Sequence, residues 1–192
     1  MEQTDFLKLA VTVLERLAVP YMLVGSYACS VWGVARFTQD IDIVIELNAT
    51  QIADLCSAFP APEFYVSEAA ARDALRHRRQ FNVIHPASAN KIDFMIARLD
   101  EWGRQQMGRS RSMPLEPDFL VRTASPEDII ISKMRYYQEG GSDKHLADSA
   151  GILARQGIRV DHDYIQHWAS ELGLTEIWNA ILQRVAANSR EP

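Results

Sequence analysis

The hydrophobic and polar positions of this chain change period several times, and the changes mark its elements. From residue 4 to 18 the apolar side chains Phe6, Leu7, Leu9, Ala10, Val13, Leu14 and Leu17 fall on one helical stripe, which Pro20 stops. Tyr21-Met22-Leu23-Val24 is a short apolar strand, and after Gly25-Ser26 the spacing is helix-compatible from Tyr27 to Trp32. Ser26 is the expected N-cap of that helix. Asp40-Ile41-Asp42-Ile43-Val44-Ile45-Glu46 alternates as a half-buried strand, with Ile41, Ile43 and Ile45 on one face and Asp40 and Asp42 on the other.

The rest of the chain yields to the same reading. Asn48 or Thr50 caps a helix with Ile52, Leu55, Cys56 and Phe59 inward, closed by Pro60 and Pro62, and Ser67 opens a second one to about His77. Two strands, Gln80 to His85 and Lys91 to Ala97, are joined by a Pro-Ala-Ser-Ala-Asn turn. In the second, Asp93 points away from the face shared by Ile92, Phe94 and Ile96. Leu99 to Met107 is helical, and Ser110 to Leu115 and Phe119 to Ala124 are strands around Glu116-Pro117. Ser125-Pro126-Glu127-Asp128 combines an N-cap, a proline in the first turn and an acid three residues after the cap, and the helix it starts ends at Gly140-Gly141. Ser142-Asp143-Lys144-His145 opens another, and helices near 164–172 and 176–185 follow, with Trp168 and Trp178 as core. The whole is an α/β (α+β) chain: a mixed sheet backed by helices over residues 1–124 and a helical bundle over 125–192.

Composition narrows the class. The 192 residues are 47% hydrophobic and 23% charged, as in an ordinary globular chain. No apolar run approaches the roughly 18 residues of a membrane span. The acidic start, Met1-Glu2-Gln3-Thr4-Asp5, is unlike a signal peptide, so the expected location is the cytoplasm. Cys29 and Cys56 lack metal-ligand spacing and are expected as buried free thiols. A net charge of −5 argues against a general nucleic-acid coat, but the charge is uneven. Residues 68–122 hold ten Lys/Arg and seven Asp/Glu, a balance of +3, which leaves −8 for the remainder. The densest basic spot is Arg72, Arg76, His77, Arg78 and Arg79. Such a run is most often a solvated helix face, and near a phosphate-transfer site it can instead bind a triphosphate or RNA.

Asp40 and Asp42 bring the chemistry. Carboxylates at i and i+2 of a strand stand about 6–7 Å apart on one face and repel each other. Hard divalent ions relieve that repulsion and are often held by one or two carboxylates, with phosphates and water completing the shell. A glycine-serine turn before a helix is ordinarily only a turn and a cap, and Asp93 alone would ordinarily be a solvent-face residue. Their order around Asp-x-Asp changes both readings.

Gly25-Ser26, followed after thirteen residues by Asp40-Ile41-Asp42 with Arg36 and Thr38 just before, resembles the signature of the polymerase-β-like nucleotidyltransferase fold. More narrowly, Val24-Gly25-Ser26-x-Ala28 with Trp32-Gly33 and Arg36-Phe37-Thr38 is similar to small bacterial nucleotidyltransferases of the abortive-infection and toxin–antitoxin type. Aminoglycoside and lincosamide nucleotidyltransferases are more distant. The resemblance spans Tyr21 to Leu153.

It implies Asp40, Asp42 and Asp93 as catalytic metal ligands for two Mg²⁺ or Mn²⁺ ions. It also implies Gly25, Ser26, Arg36, Thr38 and Lys133 as nucleotide contacts. Lys133, in Pro126-Glu127-Asp128-Ile129-Ile130-Ile131-Ser132-Lys133, matches that branch's Pro-Glu-Asp segment, and Asp148 its closing motif, whereas by its own character a helix lysine would be solvated. His145 is expected at the surface or in a supporting position. The activity implied is transfer of a nucleoside monophosphate from a nucleoside triphosphate to a hydroxyl of a tRNA, a protein or a small molecule. The expected cleft lies between the carboxylate face of the sheet and the helix carrying Lys133. Two other readings stand beside it: a non-catalytic nucleotide-binding or antitoxin module, and an antibiotic nucleotidyltransferase. A polycationic drug needs an acidic pocket, which the positive middle segment disfavours.

Overall fold

A computed structural model describes residues 1–32, 40–155 and 159–188. Arg36 and Thr38 therefore lie outside the described residues. Helix α1 (Gln3–Arg16) buries Phe6, Leu7, Ala10, Val11, Val13 and Leu14, the expected stripe. Strand β1 (Tyr21–Val24) is buried along its whole length, as a central strand covered on both faces must be. Helix α2 (Gly25–Val31) follows with no loop between. Its first residue is Gly25 and its cap position is Val24, so Ser26 lies inside the first turn and makes no capping bond, contrary to expectation.

Strand β2 (Asp40–Ile45) is next, then helix α3 (Ile52–Ser57), where Asn48 rather than Thr50 accepts the backbone N–H bonds of Thr50 and Gln51. A two-residue strand β3 (Tyr65–Val66), too short to show a period, precedes helix α4 (Glu68–His77), which Ser67 caps by accepting from the Ala70 N–H. Strands β4 (Gln80–His85) and β5 (Asn90–Ile96), helix α5 (Glu101–Arg109), and strands β6 (Arg111–Glu116) and β7 (Phe119–Thr123) follow. The four remaining helices are α6 (Pro126–Gly140), α7 (Lys144–Ala154), α8 (His162–Glu171) and α9 (Thr175–Asn188). Ser125 caps α6 from the Asp128 N–H, and Gly141 ends it in the left-handed conformation (φ 64°) that glycine adopts without a Cβ penalty. Trp168 and Trp178 are buried where the last helices pack on α6 and α7. Among the described residues, no helix is long and apolar enough to cross a membrane.

The described strands form one mixed sheet in the order β3-β4-β5-β2-β1-β7-β6. β2 pairs antiparallel with β1 and parallel with β5, in a register that sets Val24 and Asp93 on either side of Asp42 and Lys91 beside Asp40. Burial fixes that register. Ile41, Ile43 and Ile45 are all fully buried on one face, and each such side chain contributes roughly 1.5–3 kcal/mol. A slip of one residue would expose all three and push the aspartates into the core.

Candidate active site

Asp42 lies at the centre of the carboxylate group, half-buried on β2, with Asp93 across the ladder on β5 and Asp40 two residues back. Asp93 is 5% exposed, far more buried than a solvent-face residue, because β5 is an interior strand. Burial, then the charges of Asp93 and Asp40, push the Asp42 carboxyl up to about 6. Asn82, the β4 neighbour of Asp93, donates to its Oδ1 at 3.3 Å. The Lys91 ammonium contacts Asp93 Oδ2 at 2.9 Å and Asp40 Oδ1 at 3.5 Å.

Gly25 forms the other side of this group. Its φ is +65°, and a Cβ there would overlap Oδ2 of Asp42 and come within 2.8 Å of its Cγ. The Gly-Ser turn thus presses on the Asp42 carboxylate itself, a close approach that needs the absence of a side chain.

Above the carboxylates is a cavity of about 780 Å³, with Gly25, Ser26, Asp40, Asp42, Asp93 and Lys133 in its lining. Six of the eight residues singled out in the sequence therefore meet in one place, and Arg36 and Thr38 are the two outside the described residues. The cavity lies between the carboxylate face and α6, as expected. Lys133 is not solvated: it is 3% exposed and its Nζ donates to Asp148 Oδ2 at 2.6 Å. Helix periodicity could not show this, because the partner comes from α7 packed over α6. Removing one member of a buried pair costs about 3–5 kcal/mol. Asp148→Ala should lower unfolding stability by about 3 kcal/mol in a denaturant titration; a loss under about 1 kcal/mol would mean that Lys133 has turned to the Asp42 group instead.

Four arginines line the same cavity from separate elements: Arg78 and Arg79 after α4, Arg98 before α5, and Arg135 on α6. Arg78 and Arg79, members of the basic run, are thus at the site, whereas Arg72 is the solvated part, paired with Glu68. Arg78 Nη1 donates to the Ala97 carbonyl at 3.2 Å, Arg98 pairs with Asp100 at 2.8 Å, and Arg135 lies 5.3 Å from the Trp102 ring centre. Tyr136, 41% exposed, stands against half-buried His145 with ring centres 5.7 Å apart. Burial, and after it the charge of Asp42, raises the Tyr136 hydroxyl above its ordinary value, so it enters the site as a neutral phenol.

A further group went unforeseen. Asp128, fully buried, accepts from Ser125 Oγ (2.6 Å), Tyr164 Oη (2.9 Å) and Trp102 Nε1 (3.1 Å), while its neighbour Glu127 pairs with Arg109 at 3.2 Å and accepts from the Asp161 N–H. The sequence marks these acids as a helix start. They also tie α5, α6 and α8 together, which no local spacing could show.

Among the described residues, no three or more His, Cys, Asp or Glu side chains already converge as a metal cage. The carboxylates nonetheless suit a hard cation. Their donors are all oxygen, and burial, then the charges of Asp93 and Asp40, raise the Asp42 carboxyl with only partial relief from Lys91 and Lys133. A cation, the Lys91 ammonium, already rests on the other two.

No known family model matches the sequence, and no curated protein is similar to it. Solved structures match in fold. ANT(2'')-Ia, in complex with adenylyl-2''-tobramycin, is similar with a TM-score of 0.60 and 13% identity, over 92% of this chain and 98% of that one. A nucleotidyltransferase-like protein from Paracoccidioides brasiliensis gives 0.54 and 17%, over 95% and 92%. The solution structure of the antibiotic-resistance factor ANT(2'')-Ia gives 0.53 and 14%, over 97% and 96%. The chain has the α/β fold of nucleotidyltransferases.

Proposed function

We propose that this protein is a metal-dependent nucleotidyltransferase that moves a nucleoside monophosphate from a nucleoside triphosphate to a hydroxyl acceptor and releases pyrophosphate. The observation that carries it is the adjacency of Asp42 and Asp93 on parallel strands, with Gly25 against Asp42, on the wall of a cavity that Lys133 and four arginines also line. Asp40, Asp42 and Asp93 are the residues that would hold Mg²⁺ or Mn²⁺, two ions in this reading. Such ions, when bound, neutralise the phosphates and the charge that builds during in-line displacement.

The chain's own groups do the rest. Gly25 lets backbone come close to the phosphates where a side chain would block them, and Ser26 adds a hydroxyl beside it. Lys133 and the cavity arginines bind the anionic part of the triphosphate and orient it. Asp93 takes the proton of the attacking hydroxyl, for which it must come within about 3 Å directly or through one water. The new bond joins the acceptor oxygen to the α-phosphorus, and the bond from that phosphorus to the pyrophosphate oxygen breaks.

Likeness to ANT(2'')-Ia favours an aminoglycoside acceptor, and the arginines oppose it. A polycation would have to enter a cavity where Arg78, Arg79, Arg98 and Arg135 repel it, whereas an RNA end would gain bidentate phosphate contacts. An RNA acceptor also suits the toxin–antitoxin or phage-defence setting implied by the Pro126-Glu127-Asp128 segment. The test is to supply each α-labelled nucleoside triphosphate with Mg²⁺ to total RNA, to lysate protein and to an aminoglycoside. Label should enter RNA and vanish in EDTA. No label in any acceptor, with folded protein, would overturn the proposal.

A further inference from the structure

The cation nearest the carboxylates is part of the chain. Lys91 lies two residues before Asp93 on β5, hence on the same face, and opposite Asp40 in the β2–β5 ladder. From there its ammonium reaches Asp93 Oδ2 at 2.9 Å and Asp40 Oδ1 at 3.5 Å. The second lysine of the site, Lys133, is held by Asp148 at 2.6 Å. Lys91 is thus the cation drawn onto the group, and it takes one oxygen of each carboxylate flanking Asp42. Its side chain is 30% exposed, so the ammonium can leave the carboxylates for solvent.

We infer that Lys91 is a built-in counter-ion of the active site: it holds Asp40 and Asp93 together while no divalent ion is bound and leaves them when one enters. This rests on the reading of Asp40, Asp42 and Asp93 as metal ligands. Two consequences follow from charge alone. An ammonium on the carboxylates competes with a divalent cation, so free metal binds weakly until the lysine is displaced. A triphosphate brought to the carboxylates draws the ammonium off them by its own negative charge, so metal and nucleotide bind with positive coupling.

The test is Mn²⁺ binding followed by calorimetry without nucleotide. Lys91→Gln keeps reach and a donor N–H but removes the charge. It should bind Mn²⁺ at least about tenfold more tightly than wild type, or about 1.4 kcal/mol, and show a smaller gain in Mn²⁺ affinity from a non-hydrolysable triphosphate than wild type does. Lys91→Arg keeps the charge and should stay near wild type. A merely structural lysine would not separate the two variants in this order. Affinities within twofold for Lys91→Gln and wild type, or Lys91→Arg behaving as Lys91→Gln, would overturn the inference. Should Lys91→Gln fail to fold, the wild-type protein decides. Acetylation of Lys91 by an amine reagent, read by mass spectrometry, should rise severalfold at saturating Mn²⁺, and unchanged labelling would overturn the inference. Absence of any Mn²⁺ binding by wild type, with or without triphosphate, would instead remove the metal-site reading itself.

Discussion

Asp42→Asn should abolish nucleotidyl transfer and, in EDTA at pH 8, make the protein more stable. The two effects have one cause. Asp42 is held among Asp40 and Asp93 in a partly buried place, and its carboxyl is pushed up to about 6 from 3.8. Since the folded value is above the unfolded one, the native state holds the proton more tightly. Stability without metal is therefore fully present below about pH 4, is lost as pH rises through about 6, and stays lost above. Asparagine has no such charge, so the variant should show a flat profile over that window and exceed wild type at pH 8 by about 1–2 kcal/mol, allowing for the partial exposure of the group. Activity moves the other way. A bound ion supplies several kcal/mol of transition-state charge stabilisation, so losing its central ligand should slow turnover by at least about a thousandfold. Thermal melts across pH 4–8 in EDTA and pyrophosphate release at saturating Mg²⁺ measure the two. A variant with wild-type turnover would remove Asp42 from the site.

Gly25→Ala is the second large effect, and it touches no charge. The added methyl must occupy space now held by Asp42 Oδ2, on a residue whose φ of +65° already disfavours a side chain by about 1–2 kcal/mol. Either the turn opens or Asp42 moves. A displacement of about 1 Å at a reacting centre can cost about a hundredfold in rate, and that is the expected loss in kcat with Mg²⁺, together with weaker Mn²⁺ binding. Unfolding stability should fall by no more than about 1–3 kcal/mol, the cost of local backbone strain. A Gly25→Ala protein with unchanged metal affinity and rate would mean that the Gly25–Asp42 contact is incidental.

Much of the fold was legible where burial follows a local period. The alternation in β2 and β5 gave the faces of Asp40, Asp42 and Asp93, and the Ser125-Pro126 start and Gly140-Gly141 end bracketed α6 within a residue. Expectations failed where one side chain's role depends on a distant partner. Lys133 reads as a surface lysine until α7 brings Asp148 to it, and Glu127 and Asp128 read as helix-start acids until Arg109, Trp102 and Tyr164 reach them. The arginine wall is scattered over Arg78, Arg79, Arg98 and Arg135, and only the first two form a run. Lys91 was visible merely as a polar alternate of β5; its contact with Asp40 needs the β2–β5 register, which no local pattern contains. Ser26 failed as a cap because the helix starts two residues earlier than the apolar spacing suggests.

The pairing of β2 with β5 also bears on how the site comes into being. Asp42 and Asp93 are fifty-one positions apart in the chain and meet only when that parallel ladder closes, a non-local contact of the kind that forms slowly and late. A compact intermediate with β2 and β5 unjoined would hold only the Asp40–Asp42 pair of β2, without Asp93. The capacity to bind a divalent ion should therefore appear during refolding in one step, at the rate of the slowest native signal. A stopped-flow experiment that follows a Mn²⁺-sensitive probe beside tryptophan fluorescence would show the two phases coinciding.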